Sequence, residues 1–259
     1  MCRLAAYIGP EIPLENIVVA PLHSLLQQSQ HAEQAKLAVN GDGFGIAWYG
    51  RHEEPGLYRD VLPAWADENL TSICRTVCAP VFLAHVRAST IGDISRVNCH
   101  PFVHGRWSFM HNGQIAAFAR IRRDLENSLP DHLYVARRGT SDSELLFLLL
   151  LAHGLEDGPQ AAFEAAITQI TRAQDTTSRP NRLTCVLSDG DAVYALRCSS
   201  DARSPSLYVS RHLDHGGRAL ASEPLDGRPD NWVEVADGTF VTVAADRVIA
   251  SEMFAQHTA

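Results

Sequence analysis

At 259 residues, 46% hydrophobic and 20% charged, the chain has the composition of an ordinary folded protein, which excludes disordered and fibrous classes. A formal net charge of −8 argues against a general nucleic-acid binder, whose surface carries a basic face. Six scattered cysteines make no disulfide framework, and the longest apolar run, Leu145–Ala152, is too short for a membrane span. No apolar leader follows the start, so a reducing, cytoplasmic setting is expected.

In chain order, a short apolar strand over Leu4–Ile8 is stopped by Gly9-Pro10, and Pro21–Ala38 reads as helix or loop. The glycine-dense turn Asn40–Gly45 leads into a strand at Ile46–Tyr49. Cys74 and Cys78, four apart, are expected on one helix face pointing into the core; no second ligand pair follows them, so no metal is expected. Pro80–His85 and Arg106–Met110 read as strands, and Ile115–Asn127 as a helix. Ser141 and Glu144 have the spacing of a capping box ahead of the apolar run, which reads as a buried helix, and Ala161–Ala173 is a further helix. The last third alternates short strands with turns: Leu183–Leu187, Ala192–Arg197, Leu207–Ser210, Ala219–Ala221, Trp232–Val235 and Phe240–Val243. With no repeat or linker in view, residues 2–259 are expected to form one α+β domain of helices packed on antiparallel sheets.

The chemistry starts at Cys2. Once Met1 is removed, this residue carries both a thiol, ordinarily titrating near ~8.5, and an α-amine titrating near ~7.7–8.0 that can serve as its base. Alone, it is equally a small buried residue. Four polar clusters follow: His85-Val-Arg87-Ala-Ser89, Asn98-Cys-His-Pro-Phe102, His111-Asn112-Gly113 and Thr140-Ser-Asp142-Ser-Glu144. Each has a plain alternative. Asn-Gly is a common hairpin turn, Arg87 could form a surface ion pair, and Asp142 could be an acidic helix start favoured by the dipole. The Asp42–Gly45 turn lacks the lysine and following helix of a phosphate loop.

In this order after a second-position cysteine, and continued by Ala221-Ser222-Glu223-Pro224, the motifs resemble the class II glutamine amidotransferases, a branch of the N-terminal-nucleophile hydrolases. The resemblance implies an αββα sandwich, two antiparallel sheets between helical layers. It implies that Cys2 attacks a γ-glutamyl amide, that its own amine is the base, and that the mature chain begins at Cys2. Asn112 and Gly113 would form the oxyanion hole, Arg87 would hold the substrate's α-carboxylate and Asp142 its ammonium. Ser89 and His111 would border the pocket, with His85 and His111 as structural donors and not bases, while Asn98, His100 and Pro101 shape a turn beside it. A γ-glutamyl thioester would form and be hydrolysed to glutamate, with ammonia or an amine released and no metal or organic cofactor required.

The N-terminal third is similar to the stand-alone amidohydrolases of ergothioneine biosynthesis and to uncharacterised stand-alone amidotransferase-like proteins. Ala88-Ser89-Thr90 replaces the Trp-Ala-Thr-His run that follows the arginine in the glucosamine-synthase type, which leaves glutamine and larger γ-glutamyl conjugates both open as substrate. No synthase domain is expected on the chain. A separate ammonia-accepting synthase, a homo-oligomer and a non-catalytic γ-glutamyl-binding protein on the same fold stay open; nucleic acid and membrane are not expected partners.

Overall fold

A computed structural model describes residues 2–34, 39–88, 93–174 and 180–254. Its strands form two sheets whose pairings are all antiparallel. The first runs, edge to edge, β11 (Trp232–Glu234), β9 (Tyr208–Ser210), β10 (Arg218–Ala221), β1 (Arg3–Pro13), β4 (Cys78–Val86), β2 (Phe44–Tyr49) and β3 (Gly56–Asp60). The second runs β13 (Val248–Glu252), β12 (Thr239–Val243), β8 (Val193–Ser199), β7 (Arg182–Ser188), β6 (Trp107–Gln114) and β5 (Phe102–His104).

Side chains alternate across a strand, so each strand serves two cores. Leu4, Ala6 and Ile8 of β1 meet Leu83, Met110, Val186 and Val241 between the sheets. Ala5 and Tyr7 of the same strand face outward with Phe44, Ile46 and Phe82 onto α1 (Glu15–Val18), α2 (Leu25–Gln30) and α3 (Glu68–Thr76). On the far side, Trp107, Phe109, Leu183 and Leu187 pack under α4 (Phe118–Asn127), α5 (Asp131–Ala136), α6 (Asp142–Ala152) and α7 (Pro159–Ala173). The expected αββα sandwich is therefore the observed one. Helix α6 has no polar face after its first turn: Leu145 to Leu150 are all buried, as its unbroken apolar run requires.

Several boundaries depart from the sequence reading for identifiable reasons. Strand β1 continues through Gly9-Pro10 to Pro13 because the pairing with β4 slips between Ile8 and Ile12, so the proline's missing N–H falls where the ladder is already interrupted. Helix α4 starts at Phe118 and not at Ile115, since Ala117 is left-handed at φ 55° and the Ile115 N–H is bonded elsewhere. Within Pro21–Ala38 only Leu25–Gln30 is helical, capped by Ser24; residues 35–38 lie outside the described residues. Cys74 is buried on α3, but Cys78 opens β4 and is exposed, so the expected pair of core-facing thiols on one helix is wrong: α3 ends at Thr76 and the chain straightens into a strand.

One hydroxyl ties the two sheets together. Tyr49 on β2 reaches across the inner space to Arg106 O at 2.9 Å, Ser108 Oγ at 2.8 Å and Ser188 O at 2.7 Å. Burial pushes this phenol well above its ordinary range. Tyr49→Phe leaves those buried acceptors short of a donor and is expected to cost about 1–3 kcal/mol. A lowered urea midpoint with an unchanged slope would show it.

Candidate active site

The alternation that builds the inner core also assembles one end of it. Cys2 extends the inner-face row of Leu4 and Ala6 on β1, Arg87 extends the row of Leu83 and His85 on β4, and Asn112 extends the row of Ser108 and Met110 on β6. All three belong to inner faces of the sandwich. Behind them lie His85, paired across the strands with Leu4, and His100, whose ring lies tilted against it by 31° at 4.2 Å between centroids. Gly45 permits this: a side chain there would run into the His100 carbonyl. Both imidazoles are buried and none of their nitrogens has a hydrogen-bond partner among the described residues. Burial drives His85 down to about 3 and His100 well below its ordinary value, so both are neutral at physiological pH and unsuited to act as bases.

The Cys2 sulfur sits against the backbone of Ala88, 3.4 Å from its N–H and 3.6 Å from its carbonyl oxygen. Burial pushes the thiol up, and the Ala88 N–H and the cations of Arg87 and Arg3 pull only partly against that. The resting form is therefore the thiol, which needs a base at the moment of attack. Arg87 is buried directly after β4. Its backbone is held by Gly43 O at 2.8 Å and by Asp42 N–H at 2.9 Å, and its Nη1 donates to Asp93 O at 3.3 Å.

Asn112 is fully buried, yet neither its Nδ2 nor its Oδ1 has a hydrogen-bond partner among the described residues. A buried, unpaired amide costs about 1–3 kcal/mol, so native folds seldom keep one without a use. Next to it, Gly113 has φ 151°, and a side chain there would strike the Arg182 carbonyl of β7. Only glycine fits.

Asp142 is the first residue of α6, in the turn capped by Ser141, whose Oγ accepts from the Glu144 N–H at 3.2 Å. The capping box is only half formed. Glu144 accepts instead from the Arg138 and Gly139 N–H groups, at 3.0 and 2.7 Å. Asp142 accepts from the Ile115 N–H at 2.9 Å and from Ser143 Oγ at 3.2 Å, and Ser143 Oγ lies 2.9 Å from His111 Nδ1. His111 thus faces the helical layer, opposite to its neighbour Asn112, which bears on its expected place at the pocket rim.

Ser89 and Met1 lie outside the described residues. Asn98 does shape a turn, bonded to Asp93 O at 3.0 Å and to Thr140 Oγ1 at 3.2 Å. Two features escaped the sequence reading. Ser143 is one; the other is a buried ion pair, Arg3 Nη1 to Glu223 Oε1 at 3.1 Å, whose carboxylate also accepts from the N–H groups of Glu33 and Gln34 at 3.1 and 2.9 Å. An arginine inside an otherwise apolar strand was the available signal for it.

Comparison with known proteins identifies the family. The family model for class II glutamine amidotransferases matches residues 16–226. The probable glutamine amidotransferase DUG3 of Saccharomyces cerevisiae is 29% identical, over 96% of this chain and 83% of its own. The gamma-glutamyl-hercynylcysteine sulfoxide hydrolase of Mycolicibacterium smegmatis is 28% identical, over 98% of this chain and 100% of its own. Among solved structures, a glutamine aminotransferase class-II domain protein from Silicibacter pomeroyi matches with a TM-score of 0.76 and 37% identity, covering 97% of this chain and 99% of that one. The glutamine PRPP amidotransferase of B. subtilis, 15% identical, shares the fold at a TM-score of 0.66, with 50% of its chain covered.

Proposed function

Because the chain belongs to the class II glutamine amidotransferases, we propose that it hydrolyses γ-glutamyl amides with Cys2 as nucleophile and the Asn112–Gly113 turn as oxyanion hole. Removal of Met1 frees the Cys2 amine. That amine takes the thiol proton, directly or through a water, as sulfur attacks the γ-carbonyl carbon. The carbonyl π electrons move to oxygen, where the Asn112 amide and the Gly113 N–H meet the developing charge. Collapse expels the amine, which leaves with the proton, and water then cleaves the γ-glutamyl thioester to glutamate. The Arg87 guanidinium pairs with the substrate's α-carboxylate and Asp142 with its ammonium, which confines the reaction to γ-glutamyl groups carrying both charges.

The observation that carries this reading is the buried Asn112 amide, without a partner among the described residues, on the inner-face end shared with Cys2. The substrate class is a γ-glutamyl amide, glutamine or a larger conjugate. The conjugate is favoured by the full-length similarity to a gamma-glutamyl-hercynylcysteine sulfoxide hydrolase and by Ala88-Ser89-Thr90 after the arginine.

Intact mass before and after exposure to the diazoketone analogue of glutamine tests the assignment. Loss of the methionine mass and gain of one adduct, absent in Cys2→Ala, is the expected result; a processed chain that takes the adduct equally in Cys2→Ala would refute it. Turnover by the purified chain alone would separate a self-sufficient hydrolase from a subunit that awaits an ammonia-accepting synthase.

A further inference from the structure

Asp142 does more in this fold than wait for an ammonium. Its two oxygens hold the β6 segment on both sides of the oxyanion turn. Oδ2 accepts directly from the Ile115 N–H, and Oδ1 reaches His111 through Ser143. Ser143 has one hydroxyl proton. Donating it to Asp142 Oδ1, its oxygen accepts from His111 Nδ1–H at 2.9 Å; the neutral ring then has no proton on Nε2 for the Arg182 carbonyl, which lies at the longer distance of 3.4 Å. All three side chains are buried, at 2% to 5% exposure, so water does not compete for these bonds. Three residues lie between the fastened ends, Asn112, Gly113 and Gln114, and the first two are the oxyanion turn.

We propose that Ser143 and His111 are positioning residues that couple the ammonium clamp to the oxyanion hole. Each carboxylate oxygen keeps a further lone pair for a ligand. When the substrate's ammonium draws the Asp142 carboxylate toward itself, the Ile115 N–H and the Ser143–His111 chain move with it, and the Asn112 amide is set for the oxyanion. Occupancy of one charge site thereby raises the rate of the chemical step as well as affinity, so that binding energy from a remote group is used in the transition state. The inference rests on the assignment of Asn112–Gly113 as oxyanion hole and Asp142 as ammonium clamp.

The test compares γ-glutamyl-p-nitroanilide with glutaryl-p-nitroanilide, which lacks only the α-amine. Ser143→Ala is expected to lower kcat for the γ-glutamyl compound about tenfold, with KM changed by less than about threefold and the glutaryl kcat within about twofold of wild type. Ser143→Thr, which restores the hydroxyl, is expected to recover most of the loss. An equal fall in kcat for both compounds, or an effect on KM alone, would overturn the coupling and leave Ser143 a plain structural residue. The site assignment fails separately: if Asn112→Ala cleaves γ-glutamyl-p-nitroanilide as fast as wild type, or if wild type does not cleave it, the reading beneath the inference falls.

Discussion

Cys2→Ala is expected to abolish γ-glutamyl hydrolysis, with kcat down by at least about four orders of magnitude, since loss of a nucleophile removes the covalent route altogether. Stability should barely change, because among the described residues the sulfur's hydrogen bonds are two weak ones to the Ala88 backbone, at 3.4 and 3.6 Å. The pH dependence supplies a second readout. The thiol is held above its ordinary value by burial, and the neighbouring imidazole of His85 is held down to about 3, so neither titrates usefully near neutrality. On the proposed mechanism, the group left to set the rate is the Cys2 amine. The base form is needed, so kcat/KM is expected to rise with pH and level off above an inflection near ~7.7–8.0. An inflection near ~6.5, the mark of an ordinary histidine, would contradict this.

Asn112→Ala is expected to lower kcat by about 10²–10³ while leaving the melting temperature unchanged or raised. The usual penalty for truncating a buried polar side chain is the loss of its partners, and Asn112 has none among the described residues. Removing an unpaired buried amide relieves about 1–3 kcal/mol of desolvation, set against the small cavity left behind. An activity loss joined to a stability gain is the signature of a side chain kept for its chemistry. Differential scanning calorimetry beside steady-state kinetics decides the point: a clear fall in melting temperature would mean that Asn112 is part of the structural framework.

How far the sequence disclosed this arrangement depends on what kind of signal each part leaves. Strands such as Phe44–Tyr49 and Arg182–Ser188 were legible because one or both of their faces are apolar, and α6 because Leu145–Leu150 permits nothing but burial. The nucleophile, arginine and oxyanion turn were legible as a family order of motifs rather than from local physics, and their roles stay proposals. What was missed follows from contacts over long sequence separation. Ser143 is an unremarked letter inside a helix start until His111 is found 2.9 Å away. Cys78 was misplaced because four-residue spacing cannot report that a helix has ended two residues earlier. The partner of Arg3 is 220 positions away in Glu223, and no periodicity points to it.

Strand β1, which seats Cys2, lies between β4 and β10, and its second neighbour spans Arg218–Ala221. A nascent chain emerging at about 5–20 residues per second therefore needs roughly ten to forty seconds before that neighbour exists. Until then the N-terminus cannot be enclosed by the first sheet. On the proposed mechanism, the aminopeptidase that exposes the Cys2 amine has this interval in which to reach an N-terminus not yet flanked by its second neighbour.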